Sequence, residues 1–70
     1  MMSIAERVNK FITKHKPDAF CDDCIAEQLD LSRRQEANLV TITLATTDNF
    51  RREIDNCSLC REVKKVIRRA

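Results

Sequence analysis

Four side chains in this sequence have the type and spacing to do chemistry together. They are Cys21 and Cys24, then Cys57 and Cys60, two C-x-x-C pairs separated by residues 25–56. A C-x-x-C segment delivers two thiolates from one tight turn, and the backbone N–H groups of that turn can donate to the sulfurs. Two such turns complete the tetrahedron that zinc takes, with Zn–S bonds of about 2.3 Å, and leave no coordination position open for water. A site closed by four protein sulfurs is structural rather than catalytic. The expected cofactor is therefore a structural Zn2+ held by Cys21, Cys24, Cys57 and Cys60. The separation exceeds the roughly 15–20 residues of a simple zinc ribbon, so the intervening segment is expected to be a folded unit. Three other readings compete. A redox site needs one reactive pair in a βαβ pattern, which this chain lacks. Plain thiol packing leaves the repeated spacing unaccounted for. An iron–sulfur cluster uses the same four ligands, and the sequence does not separate it from zinc.

The chain has 70 residues, which predicts a single domain, 1–70, of a size that often needs a metal or disulfide staple. No secretory signal is recognised in the polar N-terminal residues and no apolar run reaches the roughly 20 residues of a membrane span, so a cytoplasmic protein with reduced thiols is expected. Residues 1–31 carry four basic and six acidic side chains, and residues 32–70 carry nine basic and five acidic. Four thiolates around a divalent ion add two negative charges, which brings the formal net charge of +2 close to neutrality. Any attraction to nucleic acid must then come from a local basic surface.

The elements that position the cysteines are readable from periodicity. There is no glycine and one proline, Pro17, so turns must be built from Asp, Asn, Ser and Lys. Residues 3–15 read as a helix, with Ser3 and Glu6 forming a capping box and Ile4, Val8, Phe11 and Ile12 on one face. Residues 22–30 read as a short helix capped by Asp22 or Asp23, with Ile25, Ala26 and Leu29 as its apolar stripe. Ser32 is the expected cap of a third helix over 33–46, with Ala37, Val40 and Leu44 inward. The β-branched run 39–47 is a rival strand, and the helix is preferred for its cap and the segment 33–37. Residues 49–55 are expected to form a strand and 56–60 a turn. Residues 61–69 fit either a helix or a returning strand, and the strand is preferred because it completes a hairpin closed by the metal.

Helices 22–30 and 33–46, joined by Asp30-Leu31-Ser32, make a helix-turn-helix. Recognition helices set N-terminal polar side chains against base edges. Arg33, Arg34, Gln35 and Asn38 have the chemistry to read guanine or adenine, and Thr41 to reach a phosphate or a thymine methyl. Arginine and glutamine equally decorate ordinary solvent faces, and the helix pair is a common packing unit. Three basic doublets follow, Arg51-Arg52, Lys64-Lys65 and Arg68-Arg69. Alternation on paired strands lets one member of each share a phosphate-contacting face, although Glu53, Asp55 and Glu62 interrupt it as on any solvated surface. His15, the only histidine, suits a helix end. No catalytic constellation is present, so no enzyme and no small-molecule substrate are expected.

The segments Phe20-Cys21-Asp22-Asp23-Cys24-Ile25-Ala26, Ser32-Arg33-Arg34-Gln35 and Cys57-Ser58-Leu59-Cys60 are similar to those of short bacterial proteins with two C-x-x-C pairs. Across roughly 3–69 the chain resembles a winged helix-turn-helix domain whose wing is pinned by zinc. The resemblance implies an α+β fold of three helices and a small β-hairpin stapled by a four-cysteine zinc site. It also implies DNA binding and transcription regulation, with helix 33–46 in the major groove and hairpin 50–67 as the wing. Arg51, Arg52, Lys64 and Lys65 would then meet the phosphates. One departure stands out: the wing tip holds Cys57-Ser58-Leu59-Cys60 in place of glycine and basic residues. The expected partner is double-stranded DNA, with another protein as the alternative for a non-enzymatic interaction module, and no membrane.

Overall fold

The computed structural model describes residues 3–70; the first two residues of the single domain expected over 1–70 lie outside the described residues. The first helix, α1, spans Ile4–Lys14. It starts where expected, because the Ser3 hydroxyl accepts the Glu6 N–H at 3.1 Å. The Glu6 carboxylate meets the Ser3 hydroxyl at 3.4 Å. Val8 and Ile12, one turn apart, are fully buried, while Ile4 and Phe11 pack at the edge of the same face. His15 caps the helix end and its ring lies against Phe11 and Phe20.

A two-residue strand, β1 (Phe20–Cys21), follows; periodicity gives no sign of it. The next helix, α2 (Asp22–Gln28), has Cys21 as its N-cap and no side-chain capping bond. Asp22 and Asp23 lie inside its first turn rather than at the cap, and their carboxylates serve other partners described below. Asp30 ends the helix with φ 54°. An aspartate tolerates this left-handed backbone better than most residues, and the chain has no glycine to offer.

The third helix, α3, covers Arg34–Leu44, shorter than expected at both ends. Arg33, not Ser32, occupies its N-cap, without a side-chain bond. Helix prevails over the β-branched rival because Ala37, Val40, Thr41 and Leu44 fall on one stripe that packs inward. The hydroxyls of Thr43, Thr46 and Thr47 donate to backbone carbonyls of Leu39, Thr43 and Leu44, satisfying groups near the helix end.

Strands β2 (Phe50–Asn56) and β3 (Val63–Arg69) form the expected hairpin, so strand prevails over helix in 61–69, although Arg61 and Glu62 belong to the turn. Phe50 faces Arg69 and Asn56 faces Val63. β1 adds to the other edge of β3, with Phe20 opposite Ile67 and Cys21 opposite Val66, so the sheet is three-stranded and antiparallel in the order β1-β3-β2. The architecture is thus a small α+β domain of three helices and three strands. Phe20, Phe50 and Ile67 meet Val8, Ile12, Ile25, Ala26 and Ala37 in the main core. The alternate residues Cys21 and Val66 join Ala19, Cys24 and Cys57 in a second buried cluster. No helix of the described residues is long and apolar enough to cross a membrane.

Candidate metal centre

β1 and α2 bring Cys21 and Cys24 to the second cluster, and the turn between β2 and β3 brings Cys57 and Cys60. The pairs start 36 positions apart in sequence, yet all four Sγ atoms lie within 4.8 Å of one another. Cys21 Sγ is 3.9 Å from Cys60 Sγ, and Cys24 Sγ is 3.6 Å from Cys57 Sγ. Four sulfurs bonded at about 2.3 Å to one tetrahedral ion stand about 3.8 Å apart, so the cage already has the dimensions of a mononuclear site. A polynuclear iron–sulfur cluster places several atoms between the thiolates and needs a wider cage. The donor set is all sulfur, which suits a soft or borderline ion. Three of the four cysteines are buried and Cys60 is exposed.

The backbone is arranged to hold negative sulfur at one position in particular. Burial pushes the Cys57 thiol up, but N–H groups of Cys60, Cys21 and Leu59, with the Cys24 side chain, outweigh it and bring the thiol down to about 6. The Cys21 N–H donates to Cys57 Sγ at 3.4 Å. Cys21 and Cys24 shift the opposite way, chiefly because burial disfavours their thiolates. A divalent ion supplies the positive charge that lets such thiols ionise. The turn is closed by Cys57 N–H to Glu62 O and Arg61 N–H to Cys57 O, each at 3.0 Å, with Arg61 at φ 65°. Ser58 clasps this turn to the segment before β1. Its N–H donates to Ala19 O at 2.8 Å, and its hydroxyl accepts the Ala19 N–H at 3.1 Å. The sequence signals nothing about Ser58 beyond its place between two of the cysteines.

The residues just after Cys21 connect the cage to α3 and the hairpin. Asp22 Oδ1 accepts from the Thr41 hydroxyl at 2.7 Å. Its Oδ2 accepts from Asn38 at 2.8 Å and from Arg52 at 3.1 Å. Asp23 pairs with Lys64 at 3.1 Å and Arg34 at 3.4 Å. The Lys64 hydrogen bond is the main reason that the Asp23 carboxyl sits below its ordinary range, and Glu62 and Asp23 together raise the Lys64 ammonium.

Of the residues with base- or phosphate-reading chemistry, Thr41 is fully buried and turned to Asp22, so its hydroxyl lies inside the domain and not on a surface. Asn38, Arg34, Arg52 and Lys64 are engaged by Asp22 and Asp23. Arg33, Gln35, Arg51 and Lys65 are exposed, and Arg33, Arg51 and Lys65 form no ion pair among the described residues. Each basic doublet divides in the same way: Arg52, Lys64 and Arg68 are paired with acids, whereas Arg51 and Lys65 are free and Arg69 stacks over Phe50 at 5.3 Å. Arg34, Gln35 and Asn38 on α3 share a groove with Lys64 and Lys65 of β3, floored by Cys21, Asp22 and Asp23. The four cysteines form a cluster with the geometry of a metal centre, in a chain for which no protein family, curated protein or solved structure gives a match.

Proposed function

We propose that the chain is a winged helix-turn-helix domain stapled by one structural zinc ion, and that it binds double-stranded DNA through α3 with β2–β3 as its wing. The observation that carries this reading is the topology. One helix, a short strand, a helix pair and a hairpin follow one another, the sheet order is β1-β3-β2, and the N-terminal half of α3 shares a groove with β3 of the hairpin. In that arrangement a recognition helix enters the major groove while the wing follows the backbone. Of the cations expected at DNA, Arg33 at the start of α3 and Lys65 across the groove are left available for phosphate, with Arg51 on the opposite sheet face. Zinc is the ion that the all-thiolate, four-position cage favours, and its role is to hold the wing to the start of α2. The domain has no open coordination position, which fits a non-enzymatic protein.

The test is titration of metal-loaded protein with random-sequence duplex DNA across a salt series. With two or three phosphates neutralised, log K is expected to fall against log salt with a slope of about −2 to −3. Absence of duplex binding at low salt would remove the DNA reading. A protein-docking role is the second reading, favoured by the exposed apolar side chains Ile54 and Val63 on the hairpin. It predicts a protein complex insensitive to salt and no affinity for duplex.

A further inference from the structure

α3 turns one stripe inward, Ala37, Val40, Thr41 and Leu44, and another directly outward. The outward stripe carries Gln35, Leu39 and Ile42, spaced i, i+4 and i+7 and therefore aligned along one face. Leu39 is 68% exposed and Ile42 47% exposed. Two large apolar side chains stand where a polar face is expected, on the element proposed to enter the groove. Arg34, the one arginine within α3, is drawn sideways to Asp23. The helix thus aims an amide followed by two aliphatic groups outward, with no guanidinium in the line.

We infer that this stripe makes the domain a reader of A·T base pairs in the major groove, with Gln35 bonding adenine and Leu39 and Ile42 packing on thymine methyl groups. The inference rests on the duplex-binding reading and specifies its target. The chemistry is direct. Adenine offers N7 as acceptor and the N6 amino group as donor, which the amide of glutamine matches with two hydrogen bonds. Thymine alone among the DNA bases presents a methyl group in that groove. Burying one methyl against an aliphatic side chain favours binding by roughly 3- to 5-fold. Guanine is best read by a bidentate arginine, and the outward stripe has none.

The experiment uses metal-loaded full-length chain and three duplexes of equal length: one A·T-rich, the same sequence with uracil replacing thymine, and one G·C-rich. The A·T-rich duplex is expected to bind about 10-fold or more tightly than the G·C-rich one, and the uracil duplex several-fold less tightly than its thymine parent. Leu39→Ala and Ile42→Ala, both on the surface, are expected to abolish the thymine-over-uracil preference and leave the salt slope unchanged. Equal, salt-dependent affinity for all three duplexes would overturn the base-reading inference and leave DNA binding intact. An A·T preference indifferent to uracil and to both substitutions would mean that groove shape is read instead, which also overturns it. No binding to any duplex would remove the DNA reading and this inference together.

Discussion

The domain has two ends that solve the same problem with different chemistry. At one, α1, α2 and α3 bury Val8, Ile12, Ile25 and Ala37 against Phe20, Phe50 and Ile67 of the sheet. At the other, β1 and the hairpin turn meet around Ala19, Val66 and three buried sulfurs. The first is a core in the usual sense, in which aliphatic area removed from water supplies the driving force. The second contains too little hydrocarbon for that, and its thiols are arranged to accept an ion. A short chain divides its stability between the two because neither alone is large. Damage at the two ends is therefore expected to have unequal consequences.

The largest effect is expected from the sulfur end. Structural zinc in small domains contributes on the order of 10–16 kcal/mol, comparable with or above the whole stability of a domain of this size. Chelation, or Cys57→Ser, should therefore abolish cooperative melting followed by circular dichroism, and metal analysis of the untreated protein should find one ion per chain. A chain that melts unchanged after metal removal would show that the apolar end is self-sufficient. The counterpart at that end is Ile25→Ala, which leaves a cavity beneath α2 and is expected to cost about 3 kcal/mol in chemical denaturation. Loss of metal must exceed it if the two ends are as unequal as their composition implies.

The cysteines were legible because ligand spacing carries its own chemistry, independent of fold. The helices were legible from their apolar stripes, with α1 correct down to its Ser3 cap. β1 was not, because two residues have no periodicity to display. The caps assigned to Asp22 and Asp23 failed for a related reason, while Ser32 lies one position ahead of the N-cap that Arg33 takes. A side chain suited to capping is equally suited to a distant partner, and Asp22 is taken up by Thr41, Asn38 and Arg52, which lie 16 to 30 positions away. The same long-range pairing decided which basic residues stay free. Nothing local in Arg51-Arg52 tells which member finds an acid, since Arg52 pairs with Asp22 across the fold, whereas Lys64 meets both the distant Asp23 and Glu62 two positions before it.

Asp22 joins the two ends, and its neighbour Asp23 differs from it in burial. Removing the Asp22 carboxylate by Asp22→Ala takes the acceptor from Asn38 and leaves the mostly buried Arg52 guanidinium unpaired, while the buried Thr41 hydroxyl is left with the Asn38 carbonyl alone. A loss of about 3 kcal/mol is expected. Asp23→Asn breaks pairs with Lys64 and Arg34 that face water, and should cost less than about 1 kcal/mol, vanishing at high salt. Guanidinium and urea melts side by side separate the two, because guanidinium screens charge as well as denaturing. Similar losses for both variants in urea would mean that the buried network carries no special weight.

The smallest effect concerns the backbone that closes the ligand turn. Arg61 sits at φ 65° immediately after Cys60, in a chain without glycine. Holding a residue with a Cβ in that region costs about 1–2 kcal/mol, whereas glycine adopts it freely but loses about 0.5–1 kcal/mol through its greater freedom when unfolded. The two contributions oppose each other, so Arg61→Gly should stabilise the metal-loaded domain by less than about 1 kcal/mol. Arg61→Val, with its branched Cβ, should destabilise it and weaken metal retention against a competing chelator, since Arg61 N–H closes the turn on Cys57 O. If glycine and valine behave alike, the left-handed backbone at this corner is not what shapes the cage, and the clasp between Ser58 and Ala19 must hold the turn instead. Ser58→Ala, which removes one of those two hydrogen bonds, would then lower stability by more than the roughly 1 kcal/mol expected for a single bond.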